Sequence, residues 1–453
     1  MKPKKIVMSV LLLLVSSILP VCLLFRDERL WVSITVLVSL LSALTYLLAT
    51  QNHSLLFAVV IIANHVIYFP GAGLSRLIII FTLFFALFLF GMAEKPANSK
   101  LFFTTVSMTI VYILFLVVTK PRIIRGEWYI LYFEAALFFL FTQLVQWNLE
   151  KIKQVAFLYV LVIMVYGLLE YLITGATRIA GPMQSATAFG VILVISWATW
   201  ISMEIFSKKP DLILAFAVTV PVIFVMFRTG TRMGFVGLVF ACLLIIILKV
   251  NTSSKTFLTK TALISTMLSL LFLLLVTGWA LLPDDLIIKA GFEPMIKGKI
   301  DASNMGRILA WGVALKAFQA NPLLGIGNGN FPDFMKEYFL EKNITASAPN
   351  IFILPHAHNI PLTILSENGI VGFMIATIVL IICLYSIIRK LRDSKDNRIY
   401  GLLTGLCVML FLGMFDAIPY FPSTQVWGAW FLAVMIQFKT DNSKQEIEAC
   451  SSI

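Results

Sequence analysis

The chain has 453 residues, of which 60% are hydrophobic and only 13% are charged, and its mean hydropathy is +0.94. Apolar runs long enough to span a bilayer recur along it, which excludes a soluble globular protein. The net charge of +12 comes from short loops between these runs. It therefore predicts an orientation in the membrane and no nucleic-acid partner.

Residues 1–150 are predicted to form the amino-terminal transmembrane helices. The first apolar run follows three lysines and has no small-residue cleavage site after it, so we interpret it as a spanning helix and not as a signal peptide. The first outer loop holds Asp27 and Glu28 between two arginines. A self-neutralised turn is the favoured reading, and a metal-dependent sugar transferase that uses these acids is an alternative.

Residues 151–282 are predicted transmembrane helices that carry arginines at the outer face. Lysine-rich loops alternate along the chain in the positive-inside pattern. That pattern leaves a second group of cations on the other face, including Arg178, Arg228, Arg232 and Arg307. Because the planar guanidinium group binds phosphate with two parallel hydrogen bonds, the group predicts an anion site. Snorkelling of each arginine to lipid headgroups is the alternative.

Residues 283–357 are polar and are predicted to form a periplasmic loop. Within it, NMGRILAWGVALKAFQANP predicts an amphipathic helix on the membrane surface, capped by Ser303 or Asn304, with an apolar face of Ile308, Trp311, Leu315 and Phe318. The string GIGNGN that follows lacks the spacing of a Rossmann motif and the Lys-Ser/Thr of a P-loop. We interpret it as a tight turn between two surface helices in preference to a phosphate-binding loop.

The loop ends in PHAHN, which supplies His356 and His358. A histidine here suits proton transfer near neutral pH. A metal needs at least a third ligand, and no cysteine or carboxylate stands at ligand spacing, so we predict no metal and no other cofactor. Residues 358–438 are predicted carboxyl-terminal transmembrane helices, and residues 439–453 a cytoplasmic tail. Acids in the apolar segments suggest a transporter proton path as an alternative function; they are Glu134, Glu170, Glu204 and Asp416.

These elements predict an all-α polytopic membrane protein with 12–14 transmembrane helices and one large periplasmic loop that contains amphipathic helices. Four segments, taken in order, resemble the bacterial O-antigen ligase family over the carboxyl-terminal two thirds of the chain. HNIPLTILSENGIVG is similar to the family signature through His358, Asn359, Gly369 and Gly372. The other three are TRIAGPMQSATAFG, TRMGFVGL and GRILAWGVALKAFQANPLLGIGNGNF.

The resemblance implies a metal-independent glycosyltransferase, multi-pass in the bacterial inner membrane, with its active site on the periplasmic face. Its partners would be an undecaprenyl-pyrophosphate-linked glycan, a lipid A-core acceptor and membrane lipid. The resemblance implies catalytic roles for His358, Arg232 and Arg307, and the predicted substrate-binding residues are Arg228, Arg178, Asn359 and His356. A polymerase of the same family and a lipid-linked glycan flippase are the alternative functions.

Overall fold

The computed structural model describes residues 147–175, 178–181, 185–252, 302–342, 353–394, 396–416 and 422–437, together with Phe139 and Thr142. Within these residues every regular element is a helix, which confirms the all-α fold. The helices are α1 (Leu149–Thr174), α2 (Ala186–Ile205), α3 (Leu212–Thr229), α4 (Arg232–Asn251), α5 (Ala302–Ala320), α6 (Phe331–Glu341), α7 (Ile360–Asp393), α8 (Ile399–Gly413) and α9 (Pro422–Gln437). The predicted helices of residues 1–138 and of residues 253–301 lie outside the described residues, so the predicted total of 12–14 stays a prediction.

Five of the described helices, α1, α2, α3, α4 and α7, are long and apolar enough to cross a membrane. Helix α2 lies at the centre of the bundle. In its most apolar stretch 94% of the residues are buried, whereas in that of α7 only 11% are buried. Helix α2 packs against α1, α3, α4 and α8. Lipid offers no hydrophobic drive for helix association, so small residues and polar contacts hold such helices together. Here Gly401 and Gly405 of α8 approach α2 closely, and Ser202 Oγ lies 3.0 Å from Thr404 Oγ1.

The bundle has two chemically different ends. Glu150 forms an ion pair with Arg398, and the rings of Phe206 and Tyr400 lie 5.0 Å apart, so the start of α1, the end of α2 and the start of α8 share one end. This end, which we call the lysine end, comprises residues 205–211, 249–252 and 389–398. The histidine end comprises residues 175–185, 229–232, 353–359 and 413–416. The alternation of charge that predicted an orientation is thus present in the fold.

Helices α5 and α6 form a hairpin with its own small core at the histidine end. This core contains Ala310, Val313, Phe331, Met335 and Phe339. Helix α5 also packs along α7. The described part of residues 283–357 is therefore helical, as predicted, and its first helix packs on the bundle; its position as a periplasmic loop stays a prediction.

The predicted apolar face of α5 is not the face that packs on the protein. Its buried residues are alanines and a valine, whereas Ile308 and Leu315 are about half exposed. Small side chains face inward because α5 lies close to α7 and α6, and the larger aliphatic side chains are left on the outside. The helix also begins at Ala302, so Ser303 and Asn304 lie within it and are not its caps.

Candidate active site at the histidine end

Asn359 fixes the start of α7. Its Oδ1 accepts a hydrogen bond from the backbone N–H of Leu362 at 2.9 Å, the usual role of an asparagine N-cap. Its Nδ2 donates to the carbonyl oxygen of Met414 at 2.8 Å, which ties α7 to the end of α8. The side chain predicted to bind substrate is thus bonded to protein at both ends of its amide, and a contact with substrate stays a prediction.

His358 precedes this cap in an unusual backbone conformation. Its φ is 51°, and it is the only residue besides glycines in the described part of the chain with a positive φ. Such a conformation is uncommon for a residue with a Cβ and is held by its surroundings. The cap at Asn359 on one side and a contact with His356 on the other supply that constraint.

The Asp416 carboxylate joins His358 to Arg307. Its Oδ1 lies 2.9 Å from His358 Nδ1, and its Oδ2 lies 3.9 Å from Arg307 Nη2. Burial alone would raise the pKa of Asp416, but the hydrogen bond from His358 and the charges of His358 and Arg307 outweigh burial, so the pKa lies below its usual value. Asp416 is therefore ionised at neutral pH and can only accept hydrogen bonds. It follows that His358 Nδ1 carries the proton, and Nε2 of neutral His358 is an acceptor.

His356 is buried beside His358, with the two ring centroids 4.3 Å apart. Its Nδ1 accepts the backbone N–H of His358 at 3.3 Å, so the proton of the neutral ring is on Nε2. Burial is the main cause that lowers the pKa of His356 to about 3, and the charge of His358 lowers it further. His356 is thus neutral at physiological pH, unlike a cationic ligand for phosphate.

His356, His358 and Asp416 also have the side-chain types of a metal site. Their candidate ligand atoms lie within 4.8 Å of one another. The prediction that these histidines have no carboxylate nearby is therefore wrong. Asp416 lies 58 positions after His358 in the sequence, so sequence spacing could not reveal their contact. Against a metal stands the guanidinium group of Arg307, which already places positive charge next to Asp416. The absence of a metal stays a prediction.

Arg232 is the first residue of α4 and lies at the histidine end. The preceding Thr231 donates its hydroxyl to the carbonyl oxygen of Ala186 at 2.9 Å, which anchors this turn to the start of α2. Helix α4 packs on α8, where the rings of Phe240 and Phe411 stack at 4.2 Å. Since α8 leads directly to Asp416, the start of α4 and the His358–Asp416 pair are at the same end of neighbouring helices.

Arg228 and Arg178 form a second cationic group at this end. The Arg228 guanidinium lies 4.1 Å above the ring of Tyr171 and donates to its hydroxyl at 2.7 Å. Arg178 is exposed and donates from Nε to the carbonyl oxygen of Thr229 at 3.0 Å. Backbone bonds from 180 and 181 to the Glu170 carboxylate hold the segment that carries Arg178. Arg228 is fixed by an aromatic ring, so simple snorkelling does not describe it.

The structure thus brings Arg307, His356 and His358 together and adds a residue that sequence reasoning assigned differently. From the sequence, Asp416 was interpreted as part of a transporter proton path and not as the partner of His358. Its signal in the sequence was an acid directly after an apolar helix, on the side of the membrane predicted for the two histidines.

Residues 216–377 match a family model described as O-antigen ligase. The matched segment contains Arg228, Arg232, Arg307, His356 and His358, and it ends before Asp416. A search of curated proteins found no match. The match therefore covers three of the four segments that carried the resemblance in the sequence; the fourth, at residues 177–190 with Arg178, lies before it.

Proposed function

We propose that this chain, which belongs to the O-antigen ligase family, transfers a polysaccharide from undecaprenyl pyrophosphate to a sugar hydroxyl of lipid A-core. The reaction takes place at the periplasmic face of the inner membrane. The observation that carries the proposal is the hydrogen-bonded pair of His358 and Asp416 with Arg307 beside it, at one end of a bundle of apolar helices. Substrates with lipid tails reach such a site from the bilayer.

His358 acts as the general base in this reaction. The ionised Asp416 holds Nδ1–H, so Nε2 accepts the proton of the acceptor hydroxyl as its oxygen attacks the anomeric carbon. The carboxylate also stabilises the imidazolium ion that results. His356 stays neutral and supports the backbone of His358.

The arginines bind the donor and stabilise the leaving group. Arg232 and Arg307 contact the pyrophosphate, with Arg228 and Arg178 as further cations for it, because guanidinium groups match phosphate oxygens in geometry and charge. The bond between the anomeric carbon and the pyrophosphate oxygen breaks as the new glycosidic bond forms. Undecaprenyl pyrophosphate leaves with the electron pair, and a single displacement inverts the anomeric carbon.

The test is expression of His358→Ala, Arg232→Ala and Arg307→Ala in a strain that lacks the chromosomal gene, followed by gel separation of its lipopolysaccharide. We expect each variant to lose polymer on lipid A-core while long chains stay on the lipid carrier. Loss of a general base typically lowers the rate by about 10² to 10⁴. Arg389→Ala is the matched control, since Arg389 is an exposed arginine at the lysine end, and its ion pair with Asp393 has the strength of an ordinary surface pair.

The outcomes separate the candidate functions. Collapse of the polymer to a single repeat unit in the variants would favour the polymerase of the same family. Unchanged bands in all three variants would contradict the assignment of the site. Transfer by the purified protein in the presence of a chelator tests the metal: full activity is expected, and loss that Mg²⁺ or Zn²⁺ restores would place a metal in the reaction.

A further inference from the structure

We infer that Glu367 is a positioning residue, and that the segment 322–329 is a latch that holds α5 in register on α7 and so places Arg307 beside Asp416. The inference deepens the proposed function and rests on it for the effect on the reaction rate. Neither Glu367 nor the glycine string takes part in the chemistry described above. What they do is visible in their hydrogen bonds.

The latch fits into an interruption of α7. At Gly369 the backbone of this helix leaves the helical region, with φ 64° and ψ −165°. Ile326 and Gly327 donate their backbone N–H groups to the carbonyl oxygens of residues 366 and 367, each at 2.9 Å. In the other direction, the N–H groups of Ile370 and Val371 donate to the carbonyl oxygens of residues 322 and 323. The loop therefore supplies backbone partners that the interrupted helix cannot supply itself.

The side chain of Glu367 completes the latch. It is fully buried, and its Oε1 accepts the backbone N–H of Gly329 at 3.0 Å. A carboxylate this deeply buried is costly unless hydrogen bonds compensate it. Because the N–H groups of residues 326, 327 and 329 are donated to α7, they are not directed at a bound phosphate. The predicted turn between two helices is confirmed, and it has an attachment that the sequence did not indicate.

Two glycines make this close contact possible. A Cβ atom on Gly325 would lie 2.3 Å from the backbone carbon of Glu367, and one on Gly369 would lie 2.3 Å from the carbonyl oxygen of Leu323. Both glycines also have a positive φ, which favours glycine in its own right. By contrast, a Cβ on Gly312, in the middle of α5, would meet nothing within 4 Å.

The latch determines where Arg307 lies. Arg307 is in α5, and the latch is the loop that follows this helix. A slip of α5 by one residue would move Arg307 by about 1.5 Å along the helix axis and turn it by about 100° around that axis. At the opposite end of α5, Gly306 faces Leu354, two residues before His356. The 3.9 Å contact of Arg307 with Asp416 therefore depends on the register that the latch sets.

A double-mutant cycle tests this inference in the purified full-length protein in lipid nanodiscs. The variants are Glu367→Ala, Arg307→Ala and both together, with Glu367→Gln and Gly369→Ala alongside and Gly312→Ala as the matched control. Transfer is measured with the enzyme in excess over a radiolabelled lipid-linked glycan, so that low residual rates remain measurable. Deuterium exchange of the backbone amides of residues 324–330 reports the latch itself.

We expect Glu367→Ala to exchange faster at these amides and to lower the transfer rate by up to about 100-fold, the cost of a displacement of about 1 Å at a reacting site. Glu367→Gln keeps an acceptor oxygen for Gly329 and should restore most of the rate, while Gly312→Ala should match wild type. When Arg307 is already alanine, the loss of Glu367 should cost no more than about threefold, because residues that act through one another are not additive.

Three results would overturn the inference. The losses of the two single variants could multiply in the double variant, which would make Glu367 a purely structural residue. The amides could exchange faster with no change in transfer, or their exchange could stay at the wild-type rate in Glu367→Ala. If the wild-type protein transfers no glycan at all, the proposed function fails, and the exchange data still decide whether the latch exists.

Discussion

Two buried carboxylates, one at each end of the bundle, each contact a basic side chain, and the two pairs look alike by burial. At the lysine end Glu204 lies 2.6 Å from Lys153, and at the histidine end Asp416 lies 2.9 Å from His358. The basic side chain, Lys153 or His358, is 19% exposed in both pairs, and both carboxylates are almost fully buried. Burial and contact with a basic side chain are therefore the same at the two ends and cannot tell a functional pair from a structural one.

The second oxygen of each carboxylate makes the difference. Glu204 Oε1 accepts the backbone N–H of Asp211 at 2.7 Å, so Glu204 holds together α1, α2 and the start of α3. Asp416 Oδ2 faces Arg307, so Asp416 holds two side chains that suit proton transfer and phosphate binding. A buried carboxylate that binds backbone secures the fold, whereas one shared by a histidine and an arginine organises a site.

The largest expected effect comes from removing the charge of each carboxylate in turn. Asp416→Asn should lower transfer per folded molecule by about 10² or more, because the amide no longer fixes the protonation of His358 or stabilises its cation. Glu204→Gln should leave that rate unchanged and lower the thermal stability instead, since it breaks a buried pair. The measurements are transfer by purified variants, normalised to the folded fraction, and thermal unfolding in nanodiscs.

Two results with these variants would contradict the different roles assigned to Glu204 and Asp416. If Glu204→Gln lost activity per folded molecule as strongly as Asp416→Asn, the two carboxylates would not differ in role. If Asp416→Asn lost stability but kept its rate, the His358–Asp416 pair would be structural, and His358 would need another explanation.

A smaller effect is expected when the type of cation is exchanged and the charge is kept. Arg307→Lys replaces the planar fork with a point charge and should lower transfer by about tenfold, because bidentate binding of phosphate is lost. Lys153→Arg is the matched exchange at the lysine end, and we expect wild-type transfer and unfolding temperature for it. Equal transfer by Arg307→Lys and wild type would argue against contact of Arg307 with the pyrophosphate.

The two ends also differ in how far they could be predicted from the sequence. The helices, and the placement of the lysine-rich loops opposite the arginines of the histidine end, follow from apolar length and charge, which are local properties. His356, His358 and Arg307, which were singled out from their motifs, lie together at the histidine end, and their roles in the reaction stay predictions. Asp416 is 58 residues from His358, so only packing of α7 against α8 could reveal it. The latch was hidden for the same reason, because its glycines are required by contacts with residues about 40 positions away.

The buried face of α5 shows a further limit of sequence reasoning. Periodicity placed Ile308, Trp311, Leu315 and Phe318 on one apolar face, and the helix was predicted to lie on the membrane surface. In the structure α5 lies against α7, and its alanines make the contact. Apolar periodicity gives the face that avoids water, and beside a membrane that face need not be the one that packs on protein.

The smallest expected effect is a pH dependence of the protein's stability that arises from His356 at the histidine end. The pKa of His356 is about 3 in the folded protein, against 6.5 for a free histidine. Between these values the unfolded chain binds a proton that the folded protein does not, so stability falls as pH decreases from 6.5 toward 3. The slope from this one group is at most about 1.4 kcal/mol per pH unit.

His356→Asn removes the titration and keeps an oxygen near the position of Nδ1, where it can accept the N–H of His358. Unfolding temperatures of the two proteins in nanodiscs should therefore converge as pH falls from 6.5 to 4.5, with wild type losing more. The other charged groups around His356, which are His358, Asp416 and Arg307, are present in both proteins, and their contributions largely cancel. The lowered pKa of Asp416 confines its own titration to pH values below this range. Parallel curves would mean that His356 is not held neutral by burial, and the supporting role assigned to it beside His358 would fail.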